Sequence, residues 1–387
     1  MQTATESDGP LRERGVLVAT HDQYTRDQST HDQLDAVLTE LRFGPGRDPR
    51  IGYAAAAAVR AWRSPLRIQV TGRARAGRST VLHALALMSA LETPPVDEPG
   101  APDPELDADL VVYVLAAAPA PADHRVLATL PPQRTIVVLN KADAIGARWS
   151  DAVDAAEQYG RQLGVLVLPI VASLAARTRA GALTTTDLTV LRRLATEADP
   201  TLFLSPELFV APGPDAAERE QLLEHWDLYG VLCACSALRH DPQLSAQALV
   251  QLLHAASGID TLHQLLHRRY AQISALRGGE LLDEFARLAA RAVPEDGGCA
   301  RDVLESFLHG DDARWLGLRA GLAHPEVAHL AAGYHAPAPA DADDAITRAA
   351  HWHGVVTSDM PAAARRAALR VHNGYVRLWE RMRSAGL

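Results

Sequence analysis

Between residues 66 and 172 the chain carries four short strand-sized runs: LRIQV (66–70), LVVYVLA (110–116), TIVVLN (135–140) and VLVLPIVA (165–172). The last three, apolar without polar alternation, have the pattern of strands buried on both faces in a parallel sheet, and LRIQV, which carries Arg67 and Gln69, reads as a strand beside them. Stretches at helical spacing lie between them: a long apolar one at 79–92 and two more near 121–130 and 151–163. Strand alternating with helix means βαβ units. Right-handed crossovers then put the loops that follow the strands along one edge, where open α/β sheets bind ligands.

The remainder reads as helical. Residues 32–42 and 51–63 carry apolar positions at helical spacing, ended by Phe43–Gly46 and by Ser64-Pro65. The polar lead, residues 1–31, reads as disordered or loosely attached. Beyond 200 no strand is expected. Asp215 with Glu218 forms the pattern of a capping box opening a helix to about 239. Further helices are expected at 244–256, 259–276, 279–292, 301–309 and 362–384, with APAPADADD (336–344) as a linker. The expected organisation is a lead (1–31), short helices (32–63), an α/β domain (64–200) and an all-α domain (201–387).

A net charge of -9 argues against a chain built to coat nucleic acid. Three cysteines make no disulfide framework, and no apolar run reaches membrane-spanning length, so a cytoplasmic location is expected. Of the 38 basic residues, Lys141 alone is lysine.

Two motifs carry chemistry. The first, Gly72-Arg73-Ala74-Arg75-Ala76-Gly77-Arg78-Ser79-Thr80, follows an expected strand and opens an expected helix. It approaches G-x-x-x-x-G-K-[ST], in which glycines let backbone N–H groups turn onto phosphates and the helix N-terminus adds partial positive charge. Ser79 would offer its hydroxyl to Mg²⁺. Arg78 stands where the pattern has lysine; it keeps the charge but is longer and planar. Taken alone, the segment also fits a strand–turn–helix corner. The second motif, Asn140-Lys141-Ala142-Asp143, ends a buried strand. There the Asp143 carboxylate can accept from both N1–H and N2–H₂ of guanine, a donor pair adenine lacks. Asn140 would fix the loop and the Lys141 stem would lie over the base.

In this order the motifs resemble the Era-like and dynamin-like branch of the P-loop GTPases. RIQVTGRARAGRSTVLHAL is similar to that branch's first strand, phosphate loop and helix, and DADLVVYVLAAAPAPADHRVL to its fourth strand and following helix. RTIVVLNKAD is similar to its guanine motif, and VLPIVASLAA to its last motif, where a backbone N–H near Ala172 and Ser173 would contact guanine O6. The resemblance covers about a third of the chain. It implies GTP or GDP and Mg²⁺ as ligands, and a homo- or heterodimer with another GTPase-like protein. Asp97-Glu98-Pro99-Gly100 matches the family's D-x-P-G, with Asp97 near Mg²⁺ and Gly100 sensing the γ-phosphate. In the family, two strands and a switch segment precede that motif. Here the 15 residues between Thr80 and Val96 leave no room for the switch and at least one edge strand, and no strand is expected before Asp97.

The sequence therefore supports a guanine-nucleotide-binding protein with weak or absent hydrolysis, coupling nucleotide state to a protein partner. The alternative is a pseudo-GTPase scaffold that keeps the fold without the ligand, its loop filled by Arg73, Arg75 and Arg78. An ATPase fits less well, because no acidic residue ends the 110–116 strand. No catalytic base is singled out. Cys233-x-Cys235 lies in an apolar helical run and reads as core, and His351-x-His353 points its rings apart. The basic side of the last helix (Arg365, Arg366, Arg370, Arg377, Arg381, Arg383) reads as a solvated face, or as a surface for a partner or a membrane.

Overall fold

The computed structural model describes residues 28–44, 47–87, 89–146, 148–181, 183–197, 199–292, 300–331, 334 and 338–385. Most of the expected lead (1–27) and residues 336 and 337 of the expected linker lie outside these. A first helix, α1, covers 28–43, and α2 spans Pro49–Arg63. Then come β1 (Ile68–Gly72), α3 (Arg78–Leu85), β2 (Ala90–Glu92), β3 (Leu110–Leu115), α4 (Pro121–Leu127), β4 (Thr135–Leu139), α5 (Trp149–Leu163), β5 (Val167–Pro169), α6 (Ala172–Ala180) and α7 (Thr185–Glu197). Helices follow: α8 (Pro206–Phe209), α9 (Ala216–His240), α10 (Ala246–Ala256), α11 (Ile259–Arg291), α12 (Ala300–His309), α13 (Asp311–Ala323), α14 (Ala342–Val356) and α15 (Ala362–Ala385).

The five strands form one parallel sheet in the order β2-β1-β3-β4-β5. All six residues of β3 are buried, as its unbroken apolar run requires of a central strand. Parallel pairing brings every strand's C-terminal end to one edge, and the order reverses between β1 and β3, the crevice where such sheets hold ligands.

Three sequence expectations change. The run 79–92 is not one helix: α3 stops at Leu85, Ala86 closes it in the left-handed region (φ 47°), and residues 90–92 become β2 beside β1. An unbroken apolar run fits either helix or strand; the open edge of β1 decides for strand. Helices expected at 259–276 and 279–292 are one, α11, because Gly278 and Gly279 pack close to Leu316, Ala320 and Arg370 and do not break it. Asp215 does stand at the N-cap of α9, but its side chain caps nothing. Both carboxylates of the expected box go instead to Arg193, Asp215 at 3.4 Å.

The chain divides into two compact units: Pro65–Tyr270, which holds the sheet, and a helical one joining residues up to Ser64 with Ala271–Leu387. The sheet-bearing unit has a core of Val96, Tyr113, Leu115, Val126, Leu139 and Val167, and a second where Leu174, Leu191, Leu222, Trp226, Val231 and Leu249 meet. The helical unit is built on Leu34, Leu41, Val59, Phe285, Leu304 and Phe307, and on Leu318, Trp352, Val371 and Tyr375. The apolar side of α15 is thus buried within the fold. Among the described residues no helix is long and apolar enough to cross a membrane.

Candidate functional site

The segment 72–80 leaves β1 at the carboxyl edge of the sheet and opens α3. Gly72 (φ 146°) passes so close to β3 that a Cβ would stand 2.4 Å from the Val114 carbonyl oxygen. Gly77 (φ 88°) is the N-cap of α3, and a Cβ there would meet Asn140 Nδ2 at 2.4 Å. No side chain caps α3, so its first-turn N–H groups, at Arg78, Ser79 and Thr80, are offered to the loop side. Arg75 lies at the loop tip in the left-handed region, φ 61°. Ala74 and Ser79 are exposed, and Ala76 is buried.

Asn140 and Lys141, more than sixty residues along the chain, close onto this loop. Asn140 Nδ2 donates to Ala76 O at 3.0 Å, and Lys141 Nζ donates to Arg75 O at 3.0 Å. Asn140 is 3% exposed, and its Oδ1 accepts from Ala172 N at 3.1 Å. Lys141, like Arg75, has a left-handed backbone (φ 58°). Left-handed non-glycine residues cost about 1–2 kcal/mol each, and here two of them touch through one hydrogen bond. The loops after β1, β4 and β5 are therefore joined by the two ends of one amide and one ammonium.

Asp143 follows on a 3₁₀ turn (Ala142–Ala144) with its carboxyl open to water. The protein mass around it still raises its pKa, and the charge of Asp227 adds to the effect. The Ala172 N–H, expected to face guanine, is occupied by Asn140. The first turn of α6 has no side-chain cap, which leaves the next amide, that of Ser173, as the better-placed donor.

Asp97 is brought to the loop by a strand that was not expected. Beyond β2, Thr93 N donates to Val70 O and Val96 N to Gly72 O, so the pairing runs up to the loop, and Asp97 Oδ1 accepts from Ala74 N at 2.8 Å. Gly100 has a simpler origin than ligand sensing. Pro99, a left-handed Gly100 (φ 79°) and a bond from Ala101 N to Glu98 O make the pattern of a type II turn. The arginines do not fill the loop together. Arg78 bonds Thr93 O at 2.5 Å and approaches Glu92 at 3.5 Å, while Arg73 reaches Asp123 at 3.0 Å and Ala118 O at 3.3 Å.

No protein-family model matches the chain, and no curated protein is significantly similar to it. The site must be read from its own residues, and several of these give no sequence signal. Asp123 is fully buried; it accepts from Tyr113 OH (2.8 Å) and Ala120 N (2.7 Å) and anchors Arg73 beside the loop. Asp227 sits at a kink in α9 with non-helical angles (φ 55°, ψ 166°) and pairs with Arg177 at 2.8 Å. Neither glycine nor proline marks that kink.

Of the weaker candidates, Cys235 is core: it is buried, packs in the helical cluster and has its thiol pKa pushed up to about 11 by desolvation. His351 lies edge-on to Trp352, and His353 lies against His372. Among the described residues one group of three His, Cys, Asp or Glu side chains brings its ligand atoms together, and it is elsewhere: His254, Asp260 and His263.

Proposed function

We propose that the sheet-bearing unit binds a guanine nucleotide, GTP or GDP, with weak or absent hydrolysis, and reports its nucleotide state to a protein partner. What carries the reading is one observation: the strand-end pair Asn140-Lys141 is hydrogen-bonded to the carbonyls of Ala76 and Arg75. A base held at Asp143 and phosphates held by 72–80 thereby belong to one site. Asp143 would accept from N1–H and N2–H₂ of the base, and the Ser173 amide would face O6. The N–H groups of the loop and of the first turn of α3 would hold the β-phosphate. Ser79 and Asp97 fit as the hydroxyl and carboxylate nearest a phosphate-bound Mg²⁺, which when bound neutralises phosphate charge. On this reading the chain is a reduced relative of the P-loop GTPases. A partner, another GTPase-like chain or a second copy, follows from that resemblance alone.

Slow turnover follows from the same geometry. Arg78 is drawn to Thr93 O and Glu92, and Gly100 is accounted for by its turn, so neither is committed to the γ-phosphate. One observation favours the scaffold reading as well: Asp97 already accepts the Ala74 N–H, so part of the loop is satisfied within the chain.

Asp143→Asn tests the proposal. Asparagine matches xanthine, which presents one donor and one acceptor where guanine presents two donors. The variant is expected to lose GDP affinity by at least about a hundredfold and to gain xanthosine diphosphate. Unchanged GDP affinity, or no binding of either nucleotide by any form, would sink it.

A further inference from the structure

His254 ends α10, and Asp260 and His263 stand three apart at the start of α11, so two ligands share a helix face and the third crosses the Ser257-Gly258 turn. The facing oxygen and nitrogen atoms of the three side chains lie within 4.8 Å of one another. His254 Nε2 and Asp260 Oδ1 are 3.5 Å apart. Ligands about 2.1 Å from a tetrahedral zinc stand roughly 3.4 Å from each other, so this spacing is that of an edge of such a site.

The surroundings point the same way. Thr178 Oγ1 lies 2.8 Å from His254 Nδ1 and 2.9 Å from Ala175 O, so that the ring is held through Nδ1 whichever tautomer it takes. His254 Nε2 is thereby left facing Asp260. The His263 ring lies beside the Leu85 carbonyl. Two imidazoles and a carboxylate thus converge, His254 oriented through its second nitrogen as metal-bound histidines are. Arg179 opposes a cation here, but it is engaged with the Ala84 and Leu85 carbonyls (3.1 and 3.2 Å), and Asp260 offsets its charge. Position helps too: His254 lies in the last turn of α10, where the helix dipole favours positive charge.

We propose that His254, Asp260 and His263 form a three-ligand site for a divalent transition metal of the zinc class, with its fourth position open to solvent on the exposed Asp260 side. The site does not depend on nucleotide binding. Carboxylate and imidazole donors without thiolate suit Zn²⁺ and Co²⁺ over Mg²⁺ or Ca²⁺.

The test is a calorimetric titration of the full chain, stripped of metal by chelator and held in excess Mg²⁺, with Zn²⁺. Co²⁺ serves as a second probe, because its visible spectrum distinguishes four from six ligands. One tight Zn²⁺ equivalent is expected, with a four-coordinate Co²⁺ spectrum. That equivalent is expected to vanish in Asp260→Asn and His263→Ala and to weaken about 10–100-fold in Thr178→Val. Asp260 is exposed, so Asp260→Asn decides the matter even if His263→Ala fails to fold. No tight equivalent, or one unmoved by Asp260→Asn and Thr178→Val, overturns the proposal and leaves His254 and Asp260 as a simple side-chain contact.

Discussion

Asn140 uses both ends of its buried amide, giving a hydrogen to Ala76 O and taking one from Ala172 N. Truncating it leaves those two backbone groups unpaired in a dry place. Asn140→Ala is therefore expected to cost about 1–3 kcal/mol in urea-induced unfolding, and to lower nucleotide affinity by releasing the loop. Asp143 behaves in the opposite sense. Its folded pKa lies above the ordinary value of 3.8, so the folded state holds that proton more tightly than the unfolded one. Stability tied to the protonated form is present at low pH and declines as pH rises through the raised pKa. Without nucleotide, Asp143→Asn is thus expected to be more stable than the parent at pH 7 and equal to it below the ordinary carboxylate range; a denaturation series over pH checks this. Asn140, Lys141 and Asp143 were legible because polar residues at the end of an apolar strand stand out. Asp123, Asp227, His254, Asp260 and His263 were not. Each looks locally like any polar residue on a helix, and only packing of distant segments gives it a role.

At the scale of elements, the segment from α3 to Asp97 matters most. The central strands were readable from their apolar runs. The edge strand β2 was not, because ALE sits in a stretch equally suited to a helix and owes its form to pairing with β1. That pairing delivers Asp97 to the loop, and Asp97→Ala separates its two readings. If Asp97 supports Mg²⁺, the substitution weakens GTP binding in Mg²⁺ and leaves Mg²⁺-free GDP binding unchanged. If Asp97 competes with phosphate for the Ala74 N–H, Mg²⁺-free GDP binds more tightly; the first result is expected. In the helical unit, α13 and α15 approach through small residues. A Cβ on Gly321 would stand 2.5 Å from Val371 Cγ2 and 2.6 Å from Ala367 O. Backbone cannot move aside cheaply, so Gly321→Ala is expected to destabilise by about 1–3 kcal/mol despite alanine's better helix propensity. Thermal unfolding monitored by circular dichroism measures it.

For the whole molecule, sequence order misled more than sequence pattern. Residues up to Ser64 join the helices from Ala271 onward, while α8–α10 belong with the sheet. No local signal records that α1 and α2 share a core with Phe285, Leu304 and Phe307. Each unit has its own core, so calorimetry is expected to resolve two unfolding transitions. A nucleotide that binds the sheet-bearing unit raises only that unit's transition, by mass action. A single transition raised as a whole would show instead that the units unfold together.

The most direct measurement is calorimetric titration of the nucleotide-free chain with GDP, GTP and ATP, with and without Mg²⁺. Micromolar or tighter binding of both guanine nucleotides is expected, with none of ATP and loss of GDP binding in Asp143→Asn. Equal binding of ATP, or no binding of any nucleotide, would contradict it and leave the Asn140 and Lys141 contacts as the fastening of a scaffold.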